Sequence, residues 1–188
     1  MRKVLVAPSW LREPLLAEID RTIAAHEAGV PSRITMKMNA LVDARCIAAL
    51  YRASRAGVPI DLNVRGICCL IPEVPGVSET IHVVSVVGRF LEHSRIYSFH
   101  RGDEHRYYIG SADLMPRNLD TRVELLTPVE DEELQAELQD TLDRCLADDT
   151  FAWTLDADGR WTRRQERTRS VHKELMEKAL AQVAVAAS

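Results

Sequence analysis

Residues 33–65 read RITMKMNALVDARCIAALYRASRAGVPIDLNVR and predict a strand, a helix and a second strand in close succession. The two strands are expected at 33–38 and 60–65, because β-branched and other apolar residues concentrate there. Asp43 can cap the intervening helix and Gly57 can close it. Such a unit favours a right-handed crossover, which makes two neighbouring strands parallel within a covered sheet.

The remainder of the chain is also expected to alternate between short strands and helices. A strand at 3–7 and a helix closed by Gly29 precede this unit, and a loop at 69–80 follows it. We further predict strands at 81–87, 96–99, 106–109 and 123–126, a hairpin turn at 101–104, an acidic helix after 130 and a final helix at 171–183. Residues 1–188 are therefore expected to form one α/β domain, with a mixed, mostly parallel sheet flanked by helices.

The composition indicates a globular chain without a general affinity for nucleic acid or membranes. Hydrophobic residues make up 46% of the 188 residues and charged residues 28%, which is enough to bury a core. Aromatic residues at 5% argue against base stacking, and a net charge of −4 argues against coating a polyanion or an anionic membrane. Acids and arginines are balanced between residues 85 and 124, so a local phosphate site is compatible with the negative total.

The cysteines and the apolar runs exclude several further classes of protein. The spacing of the four cysteines fits neither a disulfide framework nor a metal cage, so we expect reduced thiols that act as small hydrophobes. No apolar run reaches the roughly 20 residues of a membrane span, and no signal peptide is recognised, which predicts a cytoplasmic location. Phosphate-loop, dinucleotide-binding and serine-hydrolase motifs are not found.

The densest group of reactive side chains is GRFLEHSR at residues 88–95. It places His93 between Arg89 and Arg95 at the mouth of a predicted strand. Imidazole can exchange protons near neutral pH or attack phosphorus, and arginine forks match phosphate oxygens. The pattern indicates phosphoryl transfer, because positioning and charge neutralisation supply most of the catalysis in that reaction. The alternative is a histidine with a purely structural role.

Two predicted strand ends add basic and amide groups. VRGICCL at 64–70 puts Arg65 at the carboxyl end of a strand, where ligands gather in open α/β sheets. KMNALVD at 37–43 puts Lys37 and Asn39 at the end of another strand. Arg65 could instead extend along the sheet edge towards solvent, and Lys37 and Asn39 could simply fix their loop.

A polar loop, GSADLMPRNLDTRVE, spans residues 110–124 and enters the next strand. Arg122 and Glu124 are two residues apart and would share one face of that strand. Glu124 could then hold a histidine or an arginine, and Asn118 in the same loop is a further supporting candidate. Surface ion pairs in an ordinary hairpin loop are the alternative explanation.

Together, these motifs resemble those of polyphosphate kinases. The similarity covers about residues 3–165 in the same order and spacing, and includes VAP at 6–8, KMNALVD, VRGICCL, PGVSE at 75–79, GRFLEHSR and SADLMPRNLDTRVE. The resemblance implies the carboxy-terminal catalytic domain of a larger, multidomain enzyme. The two last domains of that family resemble the paired halves of phospholipase D, so a phospholipase D-like fold and an active site between two halves are implied.

The same resemblance implies a reaction and the roles of individual residues. The complete enzyme would reversibly transfer the terminal phosphate of ATP to polyphosphate through a phosphohistidine on the preceding half, which this sequence lacks. His93 matches the second active-site histidine, which contacts nucleotide phosphate and donates or accepts a proton, and is the catalytic candidate. Arg65 matches a nucleotide-binding arginine and Arg122 another active-site arginine. Supporting roles would fall to Lys37, Asn39, Arg95, Asn118 and Glu124.

A cofactor, partners and a location are implied as well. Mg²⁺ would be held mainly by the substrate and by residues outside this chain, so no metal ligand is assigned within it. The partners would be ATP or ADP, polyphosphate and the remaining kinase domains, in a homo-oligomer without nucleic acid or a membrane span. The location would be cytoplasmic.

Two other functions are kept as alternatives. Phospholipase D halves carry H-x-K-x4-D, whereas this chain has His93, Arg95 and, in place of the aspartate, His100. This departure disfavours phosphodiester hydrolysis, but a dimeric phosphodiesterase with one site built from two copies stays open. The second alternative is an isolated module that binds phosphate or polyphosphate without turnover, because half of an interfacial site should not cycle phosphate alone.

Overall fold

A computed structural model describes residues 3–186 as one nine-stranded sheet with helices on both faces. The strands are β1 (Leu5–Ala7), β2 (Ser32–Met38), β3 (Ile60–Val64), β4 (Ile81–Val86), β5 (Ile96–Arg101), β6 (Glu104–Gly110), β7 (Glu124–Val129), β8 (Ala152–Leu155) and β9 (Trp161–Arg163). The helices are α1 (Arg12–Glu27), α2 (Ala44–Arg55), α3 (Glu132–Ala147) and α4 (Val171–Ala186). The order within the sheet is β1-β7-β6-β5-β2-β3-β4-β8-β9.

The strand–helix–strand unit predicted at 33–65 is confirmed as β2, α2 and β3. Met38 lies opposite Val64 in a parallel pairing of β2 with β3. The Asp43 carboxylate accepts the backbone N–H of Cys46 at 2.9 Å and so caps α2, as the sequence predicts. Gly57 follows the helix with a φ of +90°, a conformation that glycine adopts without the strain of a Cβ.

The predicted strand direction is wrong: the sheet is mixed but mostly antiparallel. Among the eight neighbouring pairs, β2–β3 and β3–β4 are parallel, and the other six are antiparallel. The connections explain the difference, because β5, β6 and β7 follow one another through turns and loops without a crossover helix. Such connections bring successive strands together in opposite directions. The first strand, β1, lies at the sheet edge and pairs antiparallel with β7.

Helices cover both faces of the sheet. The larger core joins α1 and α2 to Met36 and Met38 of β2. On the opposite face, α3 and α4 contribute Cys145 and Val171 to a smaller core. Because successive residues of a strand point to opposite faces, Lys37 extends from β2 towards α3 and α4. A charged side chain is thereby placed under a covered face, close to the carboxyl end of its strand.

The turns and the carboxy-terminal part follow the predictions more closely. The β5–β6 hairpin turns at Gly102, whose φ is +57°. The segment around Asp158 and Gly159 forms the turn of a short ribbon, β8–β9. The final helix is α4, and the four thiols are unbridged, with Cys46 and Cys145 buried. Among the described helices, none combines the length and the apolar character that a membrane crossing requires.

Candidate active site

The candidate site lies at the end of the sheet where β2 and β3 finish and β5 begins. Lys37 is opposite Ile96 of β5, and Met38 is opposite Val64 of β3, so the three strands are in register at this end. The segment 87–95, which we call the His93 loop, connects β4 to β5 across the same end. Side chains that are far apart in the sequence consequently converge here.

Asp113 organises this site from within. Its side chain is almost fully buried, and its Oδ1 accepts the backbone N–H of Asn39 at 2.7 Å. The side-chain oxygen of Asn39 in turn accepts a hydrogen bond from Arg65 Nε at 2.8 Å. No protein partner is found within residues 3–186 for the two terminal nitrogens of Arg65. The guanidinium is thus oriented through Nε while its other donors are available to a ligand.

Arg95 links Asp113 to His93. Its Nε and Nη2 donate to the two carboxylate oxygens of Asp113 at 3.2 and 2.9 Å. Its Nη1 lies 3.0 Å from both His93 Nδ1 and the His93 carbonyl oxygen. Burial would raise the pKa of Asp113, but the Arg95 guanidinium and the N–H of Asn39 outweigh it and hold that pKa below the usual aspartate value. The carboxylate therefore stays charged and fixes Arg95 through two points.

This contact selects the tautomer of His93, whose side chain is exposed. A guanidinium can only donate, so His93 Nδ1 must accept the hydrogen bond from Arg95. The neutral imidazole then carries its proton on Nε2, on the other side of the ring. That N–H can donate to a phosphate oxygen or transfer its proton.

Lys37 supports the His93 loop from the side of β2. The lysine is 5% exposed, forms an ion pair with Glu92 and donates from Nζ to the carbonyl oxygen of Ser94 at 3.1 Å. Burial lowers the pKa of Lys37 to about 8, and the Arg65 and Arg95 guanidinium groups act in the same direction. At neutral pH the ammonium group is charged and holds the residues on both sides of His93.

The other predicted residues form a separate group around the 110–124 loop. Asn118 Nδ2 donates to Glu124 Oε1 at 2.6 Å, and both side chains are buried. Arg122 Nη1 lies 4.0 Å from the same oxygen, with 53% of its side chain exposed. No hydrogen bond or ion pair of the described residues joins this group to the cluster around Asp113. Glu124 thus holds an asparagine and approaches an arginine, whereas His93 is held by Arg95.

Arg12 of α1 sets the position of this second group. Its Nη2 donates to Asp43 at 2.9 Å and to Asp120 at 2.7 Å. Asp43 is the cap of α2, and Asp120 lies in a π-helical turn, Arg117–Thr121, which also contains Asn118. The turn is therefore fixed to both helices of one layer.

Sequence reasoning misses three side chains that shape the site. Asp113 lies inside one of the motifs, and a carboxylate among several arginines is the signal that could identify it. Glu92 is adjacent to His93, and that adjacency is its signal. His172 comes from α4, and nothing in the local sequence connects it to Phe90, its contact 82 positions earlier.

A larger cavity elsewhere fits a phosphate ligand poorly. It has a volume of about 750 Å³ between β6 and α3, and its wall includes Asp103, Glu104, Glu130 and Glu132. The same wall contains one arginine, Arg106, but it is already paired with Glu104, so the acidic excess would repel phosphate. Arg65 beside the His93 loop is instead a cation without an acidic partner among the described residues. Within residues 3–186, no group of three histidine, cysteine or carboxylate side chains is placed to hold a metal ion.

Comparison with known proteins identifies the family. The family model described as "Polyphosphate kinase C-terminal domain 2" matches residues 4–174. The polyphosphate kinase of Thermosynechococcus vestitus is 51% identical over 186 residues, which cover 97% of this chain and 25% of that protein. The crystal structure of polyphosphate kinase from Porphyromonas gingivalis superposes with a TM-score of 0.91 at 36% identity, covering 97% of this chain and 28% of that chain.

A more distant likeness concerns the fold alone. Nuc from Salmonella typhimurium, a phospholipase D family member, superposes with a TM-score of 0.56 at 14% identity, covering 85% of this chain and 96% of that chain. The phospholipase D-like fold expected from the sequence is thereby confirmed. The chain spans about a quarter of the length of the curated relatives it matches. It belongs to the polyphosphate kinase family and matches the carboxy-terminal domain of that family.

Proposed function

We propose that this chain is the final catalytic domain of an ATP–polyphosphate phosphotransferase. The observation that carries the proposal is the hydrogen bond from Arg95 to His93 Nδ1, beside an Arg65 whose terminal nitrogens have no protein partner within residues 3–186. Asp113 is thus connected to an oriented imidazole through Arg95 and to an available guanidinium through Asn39. Phosphoryl transfer needs both, because positioning and charge neutralisation supply most of its catalysis.

The proposed reaction consists of two displacements at phosphorus. A histidine on the preceding half of the enzyme attacks the terminal phosphorus of ATP, an N–P bond forms, and the bond to the bridging oxygen breaks as ADP leaves. A terminal oxygen of polyphosphate then attacks the same phosphorus, the N–P bond breaks, and the polymer gains one phosphate. Both displacements are reversible, so ADP can regain a phosphate from the polymer.

The residues of this chain would bind phosphate and move a proton. Arg65 would neutralise the phosphates of the nucleotide, and Arg122 would add charge from the second group. His93 Nε2–H would donate to an oxygen that becomes more negative in the transition state, or pass its proton to the leaving oxygen. Arg95 would keep the imidazole in the required tautomer.

In this proposal, Mg²⁺ enters only as an ion bound to the phosphates of the nucleotide. The described residues contain no cluster of three potential metal ligands. The two carboxylates at the site are already bound, Asp113 by Arg95 and Asn39, and Glu92 by Lys37. The residues present therefore do not fit a resident metal. Mg²⁺ would arrive on the phosphates of ATP or be bound outside this chain.

The proposal extends to partners, because the matched relatives are about four times longer than this chain. The partners would be ATP or ADP, polyphosphate and the remaining domains of the kinase, within a homo-oligomer located in the cytoplasm. The phosphorylated histidine would come from one of those other domains.

Substitution of His93 tests the catalytic role in the complete kinase. We expect His93→Ala to lower kcat for polyphosphate synthesis by about 10²- to 10⁴-fold, which is the usual contribution of a positioned acid or base. Because His93 is exposed, the melting temperature should not change. His105→Ala, at an exposed histidine of β6, is the control and should retain turnover. Near-normal turnover of the His93 variant would contradict the role.

Assays of the 188-residue chain by itself distinguish catalysis from phosphate binding. It should show no ATP-dependent growth of polyphosphate, because the histidine that accepts the phosphate is expected on another domain. Growth with this chain alone would overturn the proposed division of the active site. Calorimetric titration with tripolyphosphate should still show binding, and its absence would argue against the phosphate site at Arg65.

A further inference from the structure

The His93 loop packs against a buried histidine of α4. His172 is 5% exposed, and its Nδ1 lies 3.4 Å from the backbone nitrogen of Phe90. The rings of Phe90 and His172 have centroids 5.5 Å apart, and Phe151 stacks on the same imidazole at 5.8 Å. A Cβ placed on Gly88 would lie 2.8 Å from both His172 Nδ1 and Phe151 Cγ. The loop backbone can approach the imidazole this closely because residue 88 has no side chain.

His172 is itself held on a rigid support. It follows Val171, whose backbone N–H donates to Asp148 Oδ2 at 2.8 Å. Asp148 is fully buried, and its Oδ1 accepts the backbone N–H groups of Phe151 at 2.7 Å and Ala152 at 3.0 Å. One carboxylate therefore joins the start of α4 to the start of β8. The backbone that carries the imidazole is therefore fixed at this junction.

The contact with Phe90 requires a neutral His172. A backbone N–H can only donate, so Nδ1 must be unprotonated and the proton must lie on Nε2. Burial lowers the pKa of His172; the Asp148 carboxylate raises it by less, and the ammonium group of Lys37 lowers it further. The net shift favours the neutral form, which agrees with the geometry.

The two ends of the His93 loop are thus fixed from different layers. Phe90 is held by His172 from α4, and Glu92 and Ser94 are held by Lys37 from β2. Between these anchor points the loop forms no helix or strand. Arg95 orients the His93 ring. The backbone that precedes His93 in the loop is held by the contacts with His172 and Lys37.

We propose that His172 is a positioning residue for His93, acting through its ring and Nδ1 contacts with residues 88–90 of the His93 loop. The inference rests on the proposed function, since His93 must matter for turnover if its position is to matter. It adds α4, which the sequence motifs leave without a role, to the machinery of the site.

Two substitutions at His172 distinguish the effect of the hydrogen-bond acceptor, Nδ1, from the effect of the aromatic ring. His172→Phe keeps an aromatic ring but removes the acceptor, whereas His172→Asn places an amide oxygen near the position of Nδ1. In the 188-residue chain, amide hydrogen exchange of segment 87–94 should become faster in the Phe variant and return towards the wild-type rate in the Asn variant. His82→Asn, at an exposed histidine of β4, is the control and should leave the exchange unchanged.

The same variants are then assayed as the complete kinase. We expect His172→Phe to lower kcat about tenfold, comparable to the loss of one hydrogen bond, while KM for ATP changes less than about twofold. His172→Asn should recover most of the lost kcat. Gly88→Ala, which displaces the imidazole from the loop side, should lower kcat in the same way.

The outcomes distinguish this inference from the proposed function. Unchanged exchange in the Phe variant, or faster exchange with wild-type kcat, would overturn the positioning role while leaving the proposed function intact. Equal losses of kcat in the Phe and Asn variants would also overturn it, because the acceptor would then not matter. A wild-type kinase without turnover would instead refute the proposed function, and the exchange measurement would still decide whether His172 fixes the loop.

Discussion

Arg95 and Asp113 face each other through two hydrogen bonds, from Nε to Oδ1 at 3.2 Å and from Nη2 to Oδ2 at 2.9 Å. About nine-tenths of each side chain is shielded from solvent. The pair leaves Nη1 of Arg95 directed at His93. Asp113 therefore controls the orientation of the candidate catalytic ring without touching it.

Removal of the Asp113 charge should impair both turnover and stability. In Asp113→Asn, the amide can accept only through one oxygen, so the two-point contact with Arg95 is lost. We expect kcat of the complete kinase to fall about tenfold or more, and the free energy of unfolding to fall by about 1–3 kcal/mol. Steady-state kinetics and chemical denaturation measure the two effects. Asp103→Asn, in the exposed hairpin turn, is the control, and an equal loss of kcat there would contradict the prediction.

Turnover should fall above about pH 8, where Lys37 loses its proton. A neutral amine no longer pairs with Glu92, so the His93 loop loses one of its two anchor points. In a pH profile of kcat, Lys37→Arg should move the descending limb to higher pH, because the guanidinium stays charged. Glu92→Gln should move it to lower pH, because the carboxylate no longer favours the ammonium form. Coincident profiles of the three proteins would refute the assignment.

Stability should respond to the same titration with the opposite sign. Between about pH 8 and the ordinary lysine value of 10.5, the folded protein has lost the Lys37 proton and the unfolded chain still carries it. The unfolded state binds more protons in this window, so the contribution of Lys37 to the free energy of unfolding rises with pH. A loss of activity above pH 8 would thus not arise from unfolding caused by this group.

Phosphate affinity should depend on Arg65 and on the fork of its guanidinium. We expect Arg65→Ala to weaken tripolyphosphate binding by about tenfold, the usual value of a charge-assisted hydrogen bond. Arg65→Lys should recover only part of the affinity, because an ammonium cannot both bond to Asn39 and present two parallel donors. Isothermal calorimetry on the 188-residue chain measures both constants. Arg55→Ala, at an exposed position of α2, should bind as the wild type does; unaltered affinity of the Arg65 variants would place the phosphate elsewhere.

Gly110 should be intolerant of any side chain. A Cβ at this position would overlap the carbonyl oxygen of Leu125 and approach Leu126 Cα to 3.0 Å, since β6 and β7 come together there. Both neighbours are backbone atoms, so Gly110→Ala should lower the free energy of unfolding by about 2 kcal/mol or more. Gly29→Ala is the matched comparison, because it meets no atom within 4 Å and costs only the strain of its φ of +81°, about 1 kcal/mol. Thermal or chemical unfolding that ranks the two variants in the reverse order would contradict this account.

Local pattern predicts the elements well and their pairing poorly. The helix capped by Asp43 and closed by Gly57 can be predicted from the sequence, because the residues that cap, form and end it lie close together in the chain. The antiparallel pairing of β2 with β5 depends on the path of the His93 loop. The alternation of apolar and polar residues within either strand carries no information about that path. The same limit applies to the site: Arg65 and His93 stand out at strand ends, whereas the contact of Phe90 with His172 joins residues 82 positions apart.

The hydrogen bond between Asn39 and Asp113 joins two residues that are 74 positions apart. A partly folded molecule that forms β2, α2 and β3 alone would lack this bond, so Asn39, which orients Arg65, would be held less firmly. Phosphate would then bind the native state in strong preference to partly folded states. A ligand present at a hundred times its dissociation constant would stabilise the native state by about 2.7 kcal/mol. Phosphate compounds that bind at Arg65 would thereby stabilise the fold, and we expect the domain to resist proteolysis best when such compounds are abundant.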